Sequence, residues 1–254
     1  MAITIKSERE IELMAEAGKI LERVHNELDK ALRPGMSTKD IDTLGEEIIR
    51  SYGCIPSFLN YNGYPASICV SVNQEVVHGI PDKHRIIQEG DIVSLDAGVI
   101  YKGYHSDAAR THAVGEVSEE AKKLIQVTKE SFFEGIKFAK AGNHLFDISG
   151  AIGRYAEERG YGVVRDLCGH GIGTALHEAP EIPNYEVGRK GVRLRPGMTL
   201  AIEPMINIGT HEVDWLDDDW TVVTRDGSLS AHYENTILIT EGEPRILSLT
   251  CENE

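Results

Sequence analysis

The chain has 254 residues, 41% of them hydrophobic and 26% charged, which are the proportions of an ordinary globular protein long enough to bury a substantial core. Its 41 acidic against 26 basic residues give a net charge of −15, which repels nucleic-acid backbones and anionic lipid alike. The opening MAITIKSERE lacks a long apolar core and no run of about eighteen apolar residues occurs elsewhere, so neither a secretory signal nor a membrane span is expected.

Ser7 begins the capping-box pattern SERE, and apolar residues then recur at Ile11, Met14, Leu21, Val24, Leu28 and Leu32 until RPG stops them. That spacing predicts one long amphipathic helix. A second helix is expected from near Ser37, with Ile41, Leu44 and Ile48 on one side, ending at Gly53. Strand-like runs follow in SICVSVN and DIVSLDAGVI, then helices from Ser118 to about Lys140 and from Asp147 to Arg159, then strands in MTLAIEPMI, WTVVT and ENTILIT. Helices and strands grouped in this way predict an α+β domain whose sheet carries helices on one side. Cys54, Cys69, Cys168 and Cys251 form no C-x-x-C pair and read as reduced thiols of a cytoplasmic protein.

The pattern repeats along the chain. PGMSTKDIDTLGEEIIRSYG and AGNHLFDISGAIGRYAEERG align at an offset of 107, with Gly35 on Gly142, Asp40 on Asp147 and Gly53 on Gly160. The same offset places Gly90 on Gly197 and Asp96 on Glu203. HSD at 105–107 matches HYE at 232–234 only at an offset of 127, so about 20 residues are inserted around HEVDWLDDDW as a loop or hairpin. The expected organisation is a single domain over 1–254 with pseudo-repeats at about 7–115 and 118–248, related by a pseudo-twofold axis that brings paired carboxylates together.

An acid inside an apolar strand costs several kcal/mol unless it is paired or holds a metal. Asp96 in IVSLDAGV and Glu203 in TLAIEPMI sit that way, Glu234 opens ENTILIT, and Asp107 follows Asp96 by the span of a hairpin. Several carboxylates with one imidazole suit Mn, Fe, Co or Zn, and can hold two such ions. His170 in CGHGIGTALHEAP is the candidate nitrogen ligand, and Gly169, Gly171 and Gly173 are read as freeing the backbone for a crowded centre. His177 and His78 each stand in an H-x-x-P motif and can donate to an oxyanion or a substrate amide. His25 and His144 read as helix or cap residues. His84, His105, His112, His211 and His232 receive no role.

The segments NYNGYPASICVSVNQEVVHGIPD, LDAGVIYKGYHSDAARTHAVG, GHGIGTALHEAP and AIEPM followed by HYENTILIT resemble the type I methionine aminopeptidases of the M24 metallopeptidases, across nearly the whole chain. The resemblance implies the pita-bread fold, a duplicated α+β unit around a dinuclear centre. It implies ligation of two divalent ions by Asp96, Asp107, His170, Glu203 and Glu234, with Asp107 and Glu234 bridging. It implies removal of the initiator methionine from nascent chains whose second residue is small, with the substrate amine on a metal. Glu203 would accept a proton from water, His177 would steady the oxyanion and His78 would contact the scissile amide. Tyr61, Tyr64, Cys69 and Trp220 would line the methionine pocket. Phe58 stands where some members have cysteine and Leu176 where some have phenylalanine, which puts the pocket's shape in doubt. A cytoplasmic monomer acting near the ribosome, without direct nucleic-acid or membrane binding, is the expected setting.

Two alternatives share the fold. Proline-specific peptidases carry the same five ligands, but usually with an extra N-terminal domain. Non-catalytic relatives serve as binding modules after losing ligands, and all five are present here.

Overall fold

A computed structural model describes residues 2–249; Cys251, one of the expected free thiols, lies outside them. Among the described residues the α-helices are α1 (Glu8–Ala31), α2 (Thr38–Ser51), α3 (Glu119–Ile136) and α4 (Leu145–Glu157). Each begins where a side chain can satisfy a free backbone N–H. The Glu10 carboxylate accepts the Ser7 N–H at 2.7 Å, Asp40 accepts that of Ser37 at 2.8 Å, Asp147 accepts that of His144 at 2.8 Å, and Ser118 Oγ accepts the Ala121 N–H at 3.1 Å. Such a cap stabilises a helix by about 1 kcal/mol. The end expected near Lys140 for α3 comes earlier, at Ile136, and α4 starts at Leu145, two residues before the expected Asp147.

The α+β class holds, but the strands of the described residues divide among four sheets instead of forming one. The first contains Ile68–Val72 and the hairpin Ile92–Tyr101 with Tyr104–Ala113, closed by Lys102 and Gly103 at φ of 49° and 88°. Both are left-handed, as a two-residue hairpin loop requires. Helices α1 and α2 cover this sheet, burying Val24, Leu28, Ile41 and Ile49 against Ile68, Val70, Leu95 and Ala97. Full burial of such a side chain contributes about 1.5–3 kcal/mol. A five-stranded sheet contains Gly169–Gly171, Glu178–Ile182, Thr199–Ile202 and Asn235–Leu238. Its cover is α3 and α4, through Phe132, Leu145, Ile148 and Ile152 against Leu200, Ile202 and Ile237.

The expected continuous strand MTLAIEPMI is broken in two, Thr199–Ile202 and Met205–Asn207, because Pro204 has no N–H to give to a ladder. Its partner breaks at the same level. Ile202 pairs with Asn235 in the five-stranded sheet, whereas Met205 pairs with His232 in a three-stranded one. The residues around 213–224 form the expected inserted hairpin, Val213–Trp215 against Val222–Thr224, which docks on Glu75–Val77.

Backbone detail recurs at the offset seen in the sequence. The isolated bridge Ser37–Ile86 has a counterpart in His144–Arg193. Gly35 N–H donates to Ile87 O at 2.9 Å and Gly142 N–H donates to Leu194 O at 3.0 Å, with φ of 91° and 92° at the two glycines.

Candidate metal centre and active site

Asp96 and Asp107 lie on the same face of the first hairpin. Asp96 pairs with Ala109 and Asp107 with Gly98, so the two acids are diagonal neighbours across the strands. The second half is stitched to this hairpin directly. Thr236 Oγ1 donates to Asp107 O at 2.9 Å and accepts the Asp107 N–H at 2.9 Å, while the Glu234 N–H donates to Ala109 O at 3.0 Å. Glu203 and Glu234 therefore both fall at the break where their strands pass between sheets, and both turn toward the aspartates.

His170 sits in the strand Gly169–Gly171, opposite Ala201. Its Nδ1–H donates to Gly171 O at 2.9 Å, which leaves the Nε2 lone pair free. Nε2 lies 3.6 Å from Glu203 Oε1 and 3.9 Å from Asp107 Oδ2. Ligand atoms of Asp107, His170 and Glu234 fall within 4.8 Å of one another, and Asp96 and Glu203 line the same cavity.

Left empty, this cluster holds protons in place of negative charge. Burial raises Asp96 from an ordinary 3.8 to about 7. Asp107, Glu203 and Glu234 are pushed well above the carboxylate range, first by burial and then by the like charges of their neighbours. Burial also lowers His170 to about 3, keeping it neutral and able to ligate. Asp96 Oδ1, Asp107 Oδ1 and Glu234 Oε1 are buried without a hydrogen-bond partner among the described residues. Crowded acids, orphaned oxygens and a free imidazole lone pair fit divalent metal.

The cavity holding these acids, about 130 Å³, is also lined by Phe58, Tyr61, Tyr64, Cys69, His78, Leu176, His177 and Trp220. Every site residue expected from the sequence thus meets in one place. Tyr64 and Trp220 pack edge to face at 5.1 Å, and the Tyr64 hydroxyl donates to Gly79 O at 2.9 Å, which fixes one wall. Tyr61 Oη lies 3.0 Å from His177 Nδ1, and the His177 ring stands 4.2 Å from that of His170. Burial lowers both His177 and His78, the latter to about 4.

Two lining or neighbouring residues were missed. Asn62, at φ 50°, lines the cavity beside Tyr61. Buried His232 has Nε2 3.7 Å from Glu203 Oε2, and burial lowers it to about 3. The signal for His232 was present, since HSD and HYE each place a histidine two residues before a ligand-type acid.

The reading of the glycines around His170 is corrected. None of Gly169, Gly171 and Gly173 has a positive φ. A Cβ on Gly169 would meet Ala201 O at 2.4 Å and one on Gly171 would meet Ala179 O at 2.2 Å, so these two admit the flanking strands. At Gly173 the obstruction is Lys6 Cε at 2.4 Å.

The profile of metallopeptidase family M24 matches residues 12–241. The methionine aminopeptidase of Clostridium acetobutylicum is 58% identical, over 98% of this chain and 100% of that protein. A crystal structure of methionine aminopeptidase from Thermotoga maritima superposes with a TM-score of 0.96 at 47% identity, covering 98% of this chain and 100% of that one. The Xaa-Pro dipeptidase of Bacillus anthracis is more distant, with a TM-score of 0.77 and 28% identity over 97% of this chain but only 62% of that one. The fold is the pita-bread fold these proteins share. With the family profile spanning most of its length and close relatives matched end to end, the chain belongs to metallopeptidase family M24 and, within it, to the methionine aminopeptidases.

Proposed function

We propose that this protein removes the initiator methionine from nascent polypeptides whose second residue is small. The observation that carries the reading is the convergence, in one cavity, of three buried acids, the half-buried Glu203 and a histidine lone pair against an apolar slot. M24 metallopeptidases work with divalent metal. Asp96, Asp107, His170, Glu203 and Glu234 would hold two such ions, with Asp107 and Glu234 shared between them. When bound, the ions supply Lewis acidity and make water a stronger acid.

The chain's own groups divide the remaining work. Tyr61, Tyr64, Cys69, Trp220, Phe58 and Leu176 form the slot, whose apolar and aromatic lining suits an unbranched, polarizable side chain. Neutral His177 donates from Nε2 to the oxyanion that develops at the scissile carbonyl. His78 donates to the scissile amide or the departing nitrogen. Glu203, which lines the cavity beside His170, would take a proton from the attacking water.

We also read residues 7–115 and 118–248 as duplicated halves of one domain, a reading supported by the bridges and turns that recur between them. A cytoplasmic monomer acting near the ribosome is the setting we infer. No helix among the described residues is long and apolar enough to cross a membrane.

The test is cleavage of a Met-Ala-Ser peptide beside an X-Pro peptide, followed by mass spectrometry, using chelated protein reloaded separately with Mn, Fe, Co and Zn. Metal-dependent release of methionine supports the reading and ranks the metals. Cleavage confined to X-Pro transfers the chain to the proline-specific branch, and no cleavage with any metal leaves the binding-module alternative.

A further inference from the structure

Lys6 has no part in the site described above, yet its side chain is only 5% exposed. Its Nζ lies 2.7 Å from Glu178 Oε2, on a carboxylate itself 11% exposed, and also contacts Thr4 Oγ1. Thr4 Oγ1 donates to the same carboxylate oxygen at 2.6 Å. The arm bearing these residues is anchored by the Lys6 N–H, which donates to Gly197 O at 2.8 Å. Burial alone would raise Glu178; hydrogen bonds from Lys6 and Thr4 reverse this and hold it below the usual range.

The position of this ion pair matters more than its strength. His170 and His177 stand at the two sides of one hairpin, whose base is the pairing of Gly171 with Glu178. Lys6 fills the interior of that hairpin, since a Cβ at Gly173 would lie 2.4 Å from Lys6 Cε, 2.5 Å from Glu178 Oε1 and 2.7 Å from Lys6 Nζ. Gly173 O also accepts the His105 N–H at 2.8 Å, which ties the turn to the first half. A surface ion pair has no need of a glycine to admit it. This one occupies space that any other residue at 173 would fill.

We propose that Lys6 is a positioning residue: by pinning Glu178 it fixes the loop that carries His177 and sets the direction in which that imidazole faces the cavity. The inference rests on the aminopeptidase reading above. Loss of the ammonium leaves Glu178 held by Thr4 and the Ala175 N–H without its ion partner, and displacement of a group by about 1 Å is enough to slow chemistry about a hundredfold.

The experiment is a double-mutant cycle on metal-loaded protein with the Met-Ala-Ser peptide, using K6M, K6R, H177A and K6M/H177A, with amide exchange over residues 174–178 measured in parallel. Expected results are a fall in kcat of about ten- to a hundredfold for K6M with KM nearly unchanged, recovery of most of it in K6R, no further loss when K6M is added to H177A, and faster exchange over 174–178 in K6M. Wild-type kcat in K6M overturns the proposal, as does an equal fold-loss in both backgrounds. Should K6M not fold, E178Q takes its place in the cycle, and a wild-type kcat or an equal fold-loss in both backgrounds again overturns the proposal. Failure of the wild type to release methionine would count against the aminopeptidase reading, and exchange over 174–178 would then decide on Lys6 alone.

Discussion

Tyr61 and His177 meet through one hydrogen bond, phenol oxygen to Nδ1 at 3.0 Å, with their rings edge to face at 5.2 Å. Burial raises Tyr61 and lowers His177, so both partners are neutral. A neutral imidazole has one N–H and one lone pair. When the phenol donates to Nδ1 the proton sits on Nε2, which is the tautomer that the oxyanion role calls for. Y61F removes this fixing of the tautomer without emptying the pocket. Its kcat on Met-Ala-Ser is expected to fall about fivefold, a neutral hydrogen bond contributing about 1 kcal/mol, with KM and metal content close to wild type. An unchanged kcat would show that another contact sets the tautomer.

His177 itself acts on the substrate and holds no metal. H177A is expected to lower kcat by about a hundred- to a thousandfold, the usual cost of losing one oxyanion donor, while bound metal per chain measured by emission spectrometry stays at the wild-type level. Loss of metal in this variant would overturn the role.

Asp107→Asn and Glu234→Gln are expected to impair both metal sites together, because each acid is read as shared between the ions. Titration calorimetry that finds one site untouched refutes the sharing. The same substitutions relieve repulsion among buried acids, so the metal-free variants should melt above the metal-free wild type.

The pH dependence follows from Asp96, at about 7 in the empty cluster against an ordinary 3.8. A carboxyl raised by folding gives the empty protein stability that is fully present below its ordinary value and is lost as pH rises through the folded value. Metal binds the ionised form and expels the proton. Between pH 3.8 and about 7, then, the gap in melting temperature between loaded and empty protein widens as pH rises. Scanning calorimetry at several pH values across that window checks this, and a gap that narrows contradicts it.

Gly171→Ala places a methyl 2.2 Å from the Ala179 carbonyl, and backbone cannot yield there without breaking the strand pair that carries His170. A loss of several kcal/mol is expected, as for other overpacked or strained sites. Gly53→Ala meets nothing within 4 Å and bears only the strain of φ 71°, about 1 kcal/mol. Urea melts of the two variants give the comparison.

The helices were legible because capping residues and apolar spacing act locally, as at Ser7 and Ser37. The carboxylates were legible because an acid in an apolar strand is costly wherever it falls, and Asp96 and Glu203 also coincide under the repeat. The division into four sheets was not, since Pro204 was read through as part of a strand and pairing partners lie far apart in sequence. His232 received no role although HYE repeats the HSD pattern, because its approach to Glu203 depends on a strand crossing that only the fold supplies. The glycines around His170 were noticed but misread: the atoms that need the space belong to Ala201, Ala179 and Lys6, none of them recognisable as neighbours from the local run.

The break at Pro204 has a mechanical consequence. Glu203 and Glu234 stand where two sheets meet and the ladder between their strands is interrupted. Glu203 therefore stands outside any regular ladder, whereas Glu234 is held to the first hairpin by its backbone bonds to Ala109. Asp96 and Asp107 lie in the middle of a ten-residue hairpin strand pair. Three of the four acids are thus set by the hairpin and its bonds to the second half, and the fourth, Glu203, stands at a joint between sheets.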